Sequence, residues 1–425
     1  EAEELPSFEE LRASKRSFAE SFRRRMRNAD PHTALPLAER YGERFAVENP
    51  PAFPLAGEEL DRVYELPFSR APHPDYKEPI PAFDEVRFSL VANRGCYGGC
   101  TFCAIAFHQG RTVTGRSQDS LLREAQLLID QPDFKGNIHD VGGPTANFRR
   151  PACRKQAKQG ACSDRECLYP EPCPALDTDH SEYLQLLRRL RDLPEVKRVF
   201  IRSGIRYDYL LAGENEEFLA ELCAHHVSGQ LKVAPEHAAD RPLAAMGKPG
   251  IEVYREFKRR FAEENRRQGK KQYLIPYLIS SHPGTTLADA VELAEFLRDE
   301  GFIPRQVQEF YPTPGTVATC MYYTGLDPRS MEEIHIPWKG RERKQQRALM
   351  QFDRPENRAL VREALEKAGR TDLIGTSKDA LVPPGTHPAR HKRETRPKGA
   401  KGPRGSKGSK KQKTERGRGS GVKKD

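Results

Sequence analysis

Six short runs rich in β-branched and aromatic residues recur through the middle of the chain. They are VRFSLV (Val86–Val91), IHDVGG (Ile138–Gly143), RVFIRS (Arg198–Ser203), LKVAP (Leu231–Pro235), YLIPYLIS (Tyr273–Ser280) and QVQEFYP (Gln306–Pro312). Between most of them the apolar positions switch to helical spacing. In SQDSLLREAQLLID, Leu121, Leu122, Ala125, Leu128 and Ile129 share one face, with Ser117 and Asp119 placed to cap it. SEYLQLLRRLRDL, NEEFLAELCAHHV, VYREFKRRFAEENRRQG and TLADAVELAEFLRDEG follow in turn. Strands alternating with helices predict an α/β chain with a parallel sheet and right-handed crossovers. Six units fall two short of a closed eight-unit barrel, so the expected form is a partial (β/α)6 barrel over residues 82–315.

The flanks read differently. Residues 1–81 combine helix-forming charge with a proline-stiffened stretch, NPPAFPLAGEELDRVYELPFSRAPHPDYKEPIPAF, and are expected to be a helical and extended lead-in. The chain starts at Glu1 without an initiator Met, which is expected of a fragment whose upstream domain is missing. After Pro312 the pattern turns helical (ERKQQRALMQF, PENRALVREALEKAGR), predicting a helical C-terminal annex over 316–385. From about Pro383 the sequence is Gly/Lys/Arg/Ser-rich low complexity, and 386–425 are expected to form a disordered basic tail.

Charge sharpens that division. From Pro388 onward there are fifteen Lys/Arg against three Asp/Glu, a surplus of +12, whereas the whole chain of 425 residues carries +10. The preceding part is therefore close to neutral, at about −2. A tail of this kind contacts RNA or any other polyanion, or simply solubilises. No apolar run is long enough to span a membrane, and no secretory signal is expected. Nine cysteines, odd in number and clustered, point to metal chemistry in a reducing, cytoplasmic setting rather than to a disulfide framework.

The densest cluster is NRGCYGGCTFCAIAFHQGR, with Cys96, Cys100 and Cys103 spaced C-x3-C-x2-C directly after the first strand. Active loops of α/β barrels lie at this end of the strands. Three thiolates on a [4Fe–4S] cluster leave one iron without a protein ligand, open to a small molecule. Gly95, Gly98 and Gly99 let a short loop wrap such a cube and turn N–H groups toward its sulfides. The competing reading is a zinc knuckle that borrows His108 as its fourth ligand.

This spacing, with Phe102 just before the last cysteine, resembles the signature of the radical S-adenosylmethionine (SAM) superfamily. VGGPTAN (Val141–Asn147) resembles that family's glycine motif. IRSGIRYD and APEHAADRPLAAMGKPG resemble the segments that hold ribose and carboxylate. More narrowly, NPPAFPLAGEELDRVYELPFSRAPHPDY, GCTFCAI, DVGGPTANFRRPAC, VAPEH, QRALMQF and AGRTDLIG resemble the YgiQ family, from about residue 5 to 385. The resemblance implies a radical SAM barrel in which the reduced cluster passes one electron to the sulfonium of SAM. The C–S bond breaks, and a 5′-deoxyadenosyl radical takes hydrogen from a substrate. It also implies a one-electron donor such as flavodoxin or ferredoxin. Gly142 and Gly143 are then expected to approach the methionine moiety, and Ser203 and Glu236 to contact ribose or amino group. LISSHPGTT and FYPTPGT are similar to Pro-Gly-Thr motifs of the tRNA-modifying methylthiotransferases, which makes an RNA-modifying enzyme the second reading.

A second set, Cys153, Cys162, Cys167 and Cys173, is spaced C-x8-C-x4-C-x5-C in an insertion after the second strand. Four thiolates suit a closed zinc site or an auxiliary iron–sulfur cluster, and a location beside a redox site leans toward iron. Zinc at both sets would instead make a nucleic-acid-binding protein, a third reading from another class. Nearby Arg149, Arg150, Arg154, Lys155 and Lys158 are expected to be solvated or to steer an anionic substrate. Cys223 and Cys320 read as buried small hydrophobes, His225 and His226 as helix-end residues, and His282 as a core hydrogen-bonding group near the site.

Overall fold

The structure, a computed structural model, describes residues 2–385. At the start lie β1 (Glu3–Glu4), helices Phe8–Ala13 and Lys15–Arg27, and a hairpin of β2 (Leu37–Tyr41) and β3 (Arg44–Glu48). Ser7 and Glu10 form a reciprocal capping box on the first helix, and the Ser14 side chain accepts the Ser17 N–H on the second. β2 pairs in parallel with β1 and antiparallel with β3. The lead-in thus contains a three-stranded sheet as well as the expected helices. Its strands are short and polar on one side, so their alternation is weak in sequence.

The core begins at β4 (Ser89–Val91), with β5 (Asn93–Arg94) and β6 (Thr114–Gly115) pairing antiparallel just beyond it. It continues through β7 (Asn137–Ile138), β8 (Asp140–Gly142), β9 (Arg198–Val199), β10 (Gln230–Glu236), β11 (Tyr273–Ser280) and β12 (Gln308–Glu309). Every one of the six expected runs contains a strand. β4 pairs in parallel with β8, and β7 with β9, so the run 137–142 joins its neighbours on both sides. β10, β11 and β12 form a second parallel group in that order. Among the described residues no ladder joins β9 to β10; the Ile201 N–H donates to the His226 carbonyl at 3.0 Å, just before β10 begins. Among the described residues the core is α/β with two parallel groups and no closed barrel.

Period-two side-chain alternation explains the layering. Leu90, Val141, Val199, Leu231, Val233 and Leu278 face a layer of helices and are buried with it in one continuous apolar cluster. The helices contribute Leu121, Leu128, Leu186, Leu190, Phe257 and Leu297 among others. Each such side chain contributes roughly 1.5–3 kcal/mol by leaving water. Val91, Tyr273 and Tyr277 on the opposite face stay exposed. Ser117 caps helix Gln118–Ile129 by accepting the Ser120 N–H, while Asp119 lies in its first turn.

The C-terminal part is helical, with Val317–Thr324, Gly340–Leu349 and Arg358–Lys367. Gly340–Leu349 packs on helix Leu287–Asp299, and Gln346 reaches the Thr285 carbonyl at 2.9 Å. Residues Glu1–Pro384 make one compact unit, so lead-in, core and C-terminal helices belong together. The basic tail, with its expected polyanion contact, lies outside the described residues. No helix among the described residues is long and apolar enough to cross a membrane.

Candidate metal centre

The three-cysteine loop is tied down from three directions. Its start is fixed by Gly95 N–H to Gln109 Oε1 and Cys96 N–H to the Gly110 carbonyl, both 3.1 Å. In the middle, Thr101 donates from its backbone to the Met246 carbonyl (3.0 Å) and from its hydroxyl to the Ala245 carbonyl (2.8 Å). The Ala318 N–H closes the third side on the Thr101 carbonyl at 2.9 Å. Gly247, at φ +68°, packs against the Gly99 carbonyl so closely that a Cβ there would lie 2.8 Å from it.

The sulfurs meet polar groups. Gly98 N–H points at Cys96 Sγ at 3.4 Å, and the Thr145 side chain, from the glycine motif, faces the same sulfur. Arg206 Nη1 lies 3.3 Å from both Cys100 Sγ and the Gly98 carbonyl. Burial pushes the Cys96 thiol up, and the neighbouring Cys100 adds to this, while Arg206 pulls the other way. Burial also pushes Cys103 up to about 11, with Cys100, Cys96 and Glu236 contributing. Burial leads both shifts, so this part of the loop is partly desolvated.

Around them lies a buried charge network. Arg206 holds Asp208 through Nε–Oδ1 at 2.8 Å and Nη2–Oδ2 at 2.5 Å. Burial works against the Arg206 charge, but Asp208 and then Cys100 override it, so it stays protonated. Burial also opposes ionisation of Asp208, yet Arg206 and more weakly Lys248 hold it below the ordinary carboxylate range. Glu236, at φ +71° and the end of β10, is pushed up by burial and pulled back by Lys248 and Arg206.

The expected cofactor residues cluster at the same end. Ser203 Oγ fills the space a Cβ on Gly142 would take, and the Asn93 carbonyl and side chain do the same at Gly143. Ser203 is held by Asp140 Oδ1, which accepts its N–H at 3.1 Å and its hydroxyl at 3.2 Å. Ser203 also lines a cavity of about 270 Å³ with Thr145, Arg206, Lys232 and Tyr277. That is close to the lower end of small-molecule sites, roughly 300 Å³. Asn93 is buried, and neither polar atom of its side chain has a partner among the described residues. A larger hollow of about 440 Å³ among Ser14, Glu20, Arg23 and Met331 has no cysteine in its lining.

The second cysteine set folds against the first loop. Arg111 donates to the Cys162 carbonyl (2.7 Å), the Arg165 carbonyl (2.9 Å) and Glu166 Oε2 (2.8 Å). Glu166 in turn packs on Gly99. Tyr97 stacks on Phe148 at 3.8 Å, and Cys96 and Cys167 both pack on this apolar plug. Burial pushes Cys167 up to about 12; Arg111 opposes this, and Glu166, Cys153 and Cys173 add to it.

Among the described residues, no three His, Cys, Asp or Glu side chains converge closely enough to hold a single metal ion. Neither cysteine set is arranged as a mononuclear zinc site, and His108 is exposed on helix Ile105–Gln109. The nearby basic residues are partly structural. Arg149 is buried on the Arg116 carbonyl and Glu182, and Arg150 pairs with Asp177 and Asp179. Cys223 and Cys320 are buried, as expected. His226 accordingly ends a helical turn, with Nδ1 2.8 Å from the Val199 carbonyl.

Sequence reasoning did not single out Arg206, Asp208, Thr145, Lys248 or Asn93. The signal for the first two was present: Arg206 and Asp208 are charges set between apolar and aromatic residues, Ile205, Tyr207 and Tyr209, all buried.

Comparison with known proteins now bears on this arrangement. The radical SAM N-terminal family model matches residues 1–89, and a domain of unknown function, DUF3362, matches 305–424. A UPF0313 protein of Clostridium botulinum (strain Okra / Type B1) is 52% identical over 382 residues, covering 89% of this chain and 59% of the relative. The chain is a UPF0313-like radical SAM protein. A second UPF0313 protein, from Clostridium perfringens (strain 13 / Type A), is 54% identical over 380 residues, 89% of this chain and 57% of the relative. This UPF0313-like chain thus spans somewhat over half the length of the relatives it matches. Among solved structures, the radical SAM methyltransferase TsrM of Kitasatospora setae, with cobalamin and a [4Fe–4S] cluster bound, overlaps 66% of this chain and 61% of its own. The TM-score is 0.36 at 12% identity, too loose a match to bear on chemistry.

Proposed function

We propose that this UPF0313-like chain is the core of a radical SAM enzyme, with Cys96, Cys100 and Cys103 holding a [4Fe–4S] cluster whose fourth iron is left for SAM. The observation that carries the reading is the meeting of three elements at the cysteine loop. Thr145 from the glycine motif faces Cys96, Arg206 from the segment after β9 reaches Cys100, and Glu236 from the end of β10 acts on Cys103. When bound, the cluster supplies one electron for reductive cleavage of SAM to methionine and a 5′-deoxyadenosyl radical, which acts on a substrate of unassigned class. The two parallel strand groups are read as the two halves of a partial (β/α)6 barrel around that chemistry.

The chain's own residues do the rest. Gly98 N–H and the Arg206 guanidinium donate to sulfur and offset thiolate charge in a site from which much water is excluded. The cavity beside Ser203, Lys232 and Tyr277 receives part of SAM, and Gly142 and Gly143 let Ser203 and Asn93 pack close against the glycine motif that is to meet its methionine end. Glu236, held between Lys248 and Arg206, offers a buried acceptor to the amino group or ribose. A one-electron donor of the flavodoxin or ferredoxin type completes the cycle.

The test is anaerobic reconstitution with iron and sulfide, reduction, and measurement of 5′-deoxyadenosine from SAM. The chain is expected to form it, and Cys96→Ala, Cys100→Ala or Cys103→Ala to abolish it. Undiminished product from any of these variants would exclude the assignment.

A further inference from the structure

We propose that Cys153, Cys162, Cys167 and Cys173 ligate a second, fully coordinated iron–sulfur cluster that fastens the insertion between β8 and helix Ser181–Arg191 beside the first cysteine loop. The proposal does not rest on the radical SAM reading, because it concerns a different set of ligands.

The insertion lacks the usual means of holding itself together. Its only regular element is helix Arg154–Gln159, and loops of this length without structure of their own are uncommon. Between residues 151 and 176 the fully buried hydrophobic side chains are Ala152, Ala161 and Leu168. That is too little apolar surface to offset roughly 1–2 kcal/mol of backbone ordering per residue. A cross-link is needed, and the four cysteines are unpaired with one another.

The fold gathers those cysteines into one knot. Cys173 N–H donates to the Cys167 carbonyl at 2.9 Å, which places the two at the ends of one tight loop. Cys153 caps the short helix, its Sγ receiving the Gln156 N–H at 3.4 Å. Lys155, on that helix, donates to Cys162 Sγ at 3.4 Å, and Arg111 fixes the Cys162 backbone from the other side. N–H donors and cations aimed at sulfur are what ligated thiolates need around them. Four thiolates complete a cluster's ligation, so this site has no open position and does not bind SAM.

The experiment uses the full chain, reconstituted anaerobically with iron and sulfide in the presence of zinc. Iron, sulfide and zinc are counted per chain, and Mössbauer spectra are recorded. The Cys96→Ala/Cys100→Ala/Cys103→Ala variant is expected to keep about four irons, and the wild type about twice that. Adding Cys153→Ser, Cys162→Ser, Cys167→Ser and Cys173→Ser should remove the remaining iron. Cys167→Ser alone, in the wild-type background, should lower iron and quicken proteolysis within residues 151–177 while circular dichroism stays unchanged. A triple variant that holds no iron, or holds zinc in its place, overturns the proposal. So does iron that survives replacement of all seven cysteines. Failure of the wild-type chain to cleave SAM, while the triple variant still retains iron, would instead count against the function proposed above and leave this site standing.

Discussion

Arg206 Nη1 lies 3.3 Å from Cys100 Sγ while the rest of the same guanidinium grips Asp208. A charge pair removed from water is costly to break, because the surviving partner is left buried and uncompensated. Arg206→Gln is therefore expected to destabilise the fold by about 3–5 kcal/mol, read from urea denaturation of the metal-free protein. Arg206→Lys keeps the charge but loses the fork that serves both Asp208 and sulfur. It should fold better than Arg206→Gln yet lose iron faster than wild type during chelator challenge. Wild-type stability and iron retention in both variants would show that the contact does neither job.

Gly142 and Ser203 give a sharper test of what the glycine motif is for. Ser203 Oγ occupies the place of a Cβ on Gly142, so Gly142→Ala is expected to cost about 1–3 kcal/mol through overpacking. Gly142→Ala/Ser203→Gly should recover most of that loss in thermal melts. SAM affinity, measured by calorimetry on the reconstituted protein, should stay reduced in the double variant if the glycine also lets the ligand approach. Recovery of both would make Gly142 a packing glycine only.

Much of this arrangement was legible because its signals are local. The six β-rich runs, the Ser117 cap and the two cysteine spacings each depend on residues close in sequence. What escaped was long-range. Thr145, Arg206, Glu236 and Lys248 act together only because folding brings the segments after β8, β9 and β10 to the cysteine loop, and no spacing encodes that meeting. The gap between β9 and β10 was equally hidden, since RVFIRS has ordinary strand composition although its ladder ends at Val199. The hairpin of β2 and β3 was missed for another reason. β3 is exposed at every position, so it lacks the alternation that marks a half-buried strand.

His282 and His237 make the fold acid-sensitive. Burial lowers His282 to about 3; its Pro283 carbonyl contact opposes this, and His237 and Arg329 reinforce it. Burial lowers His237 to about 4, partly opposed by Asp289. A histidine depressed below its unfolded value, near 6.5, contributes stability that is fully present above that value. The contribution is lost as pH falls from about 6.5 toward the folded value. At pH 5 each costs about 2 kcal/mol relative to neutral pH. His282→Asn should therefore lose about 2 kcal/mol less than wild type between pH 7.5 and pH 5, in urea titrations at both. Parallel losses in the two proteins would mean that His282 is not held neutral.

Ser281 follows β11 in a left-handed conformation, φ +63°, and its buried hydroxyl has no partner among the described residues. Glu236, at φ +71°, ends the neighbouring strand β10. Two non-glycine residues with positive φ thus sit at the same end of adjacent strands. Such a conformation costs about 1–3 kcal/mol at each, and an unsatisfied buried hydroxyl adds about 1–3 more. Ser281→Gly removes both penalties and restores only the extra unfolded-state freedom of glycine, about 0.5–1 kcal/mol. It should raise stability by about 1 kcal/mol or more, with Ser281→Ala falling between it and wild type because alanine keeps the backbone strain. Strain retained where a site is built commonly serves the site, so SAM cleavage should fall in the glycine variant even as its melting temperature rises. A Ser281→Gly protein less stable than Ser281→Ala would show that the backbone there is not strained, and the link between strain and cleavage would fall with it.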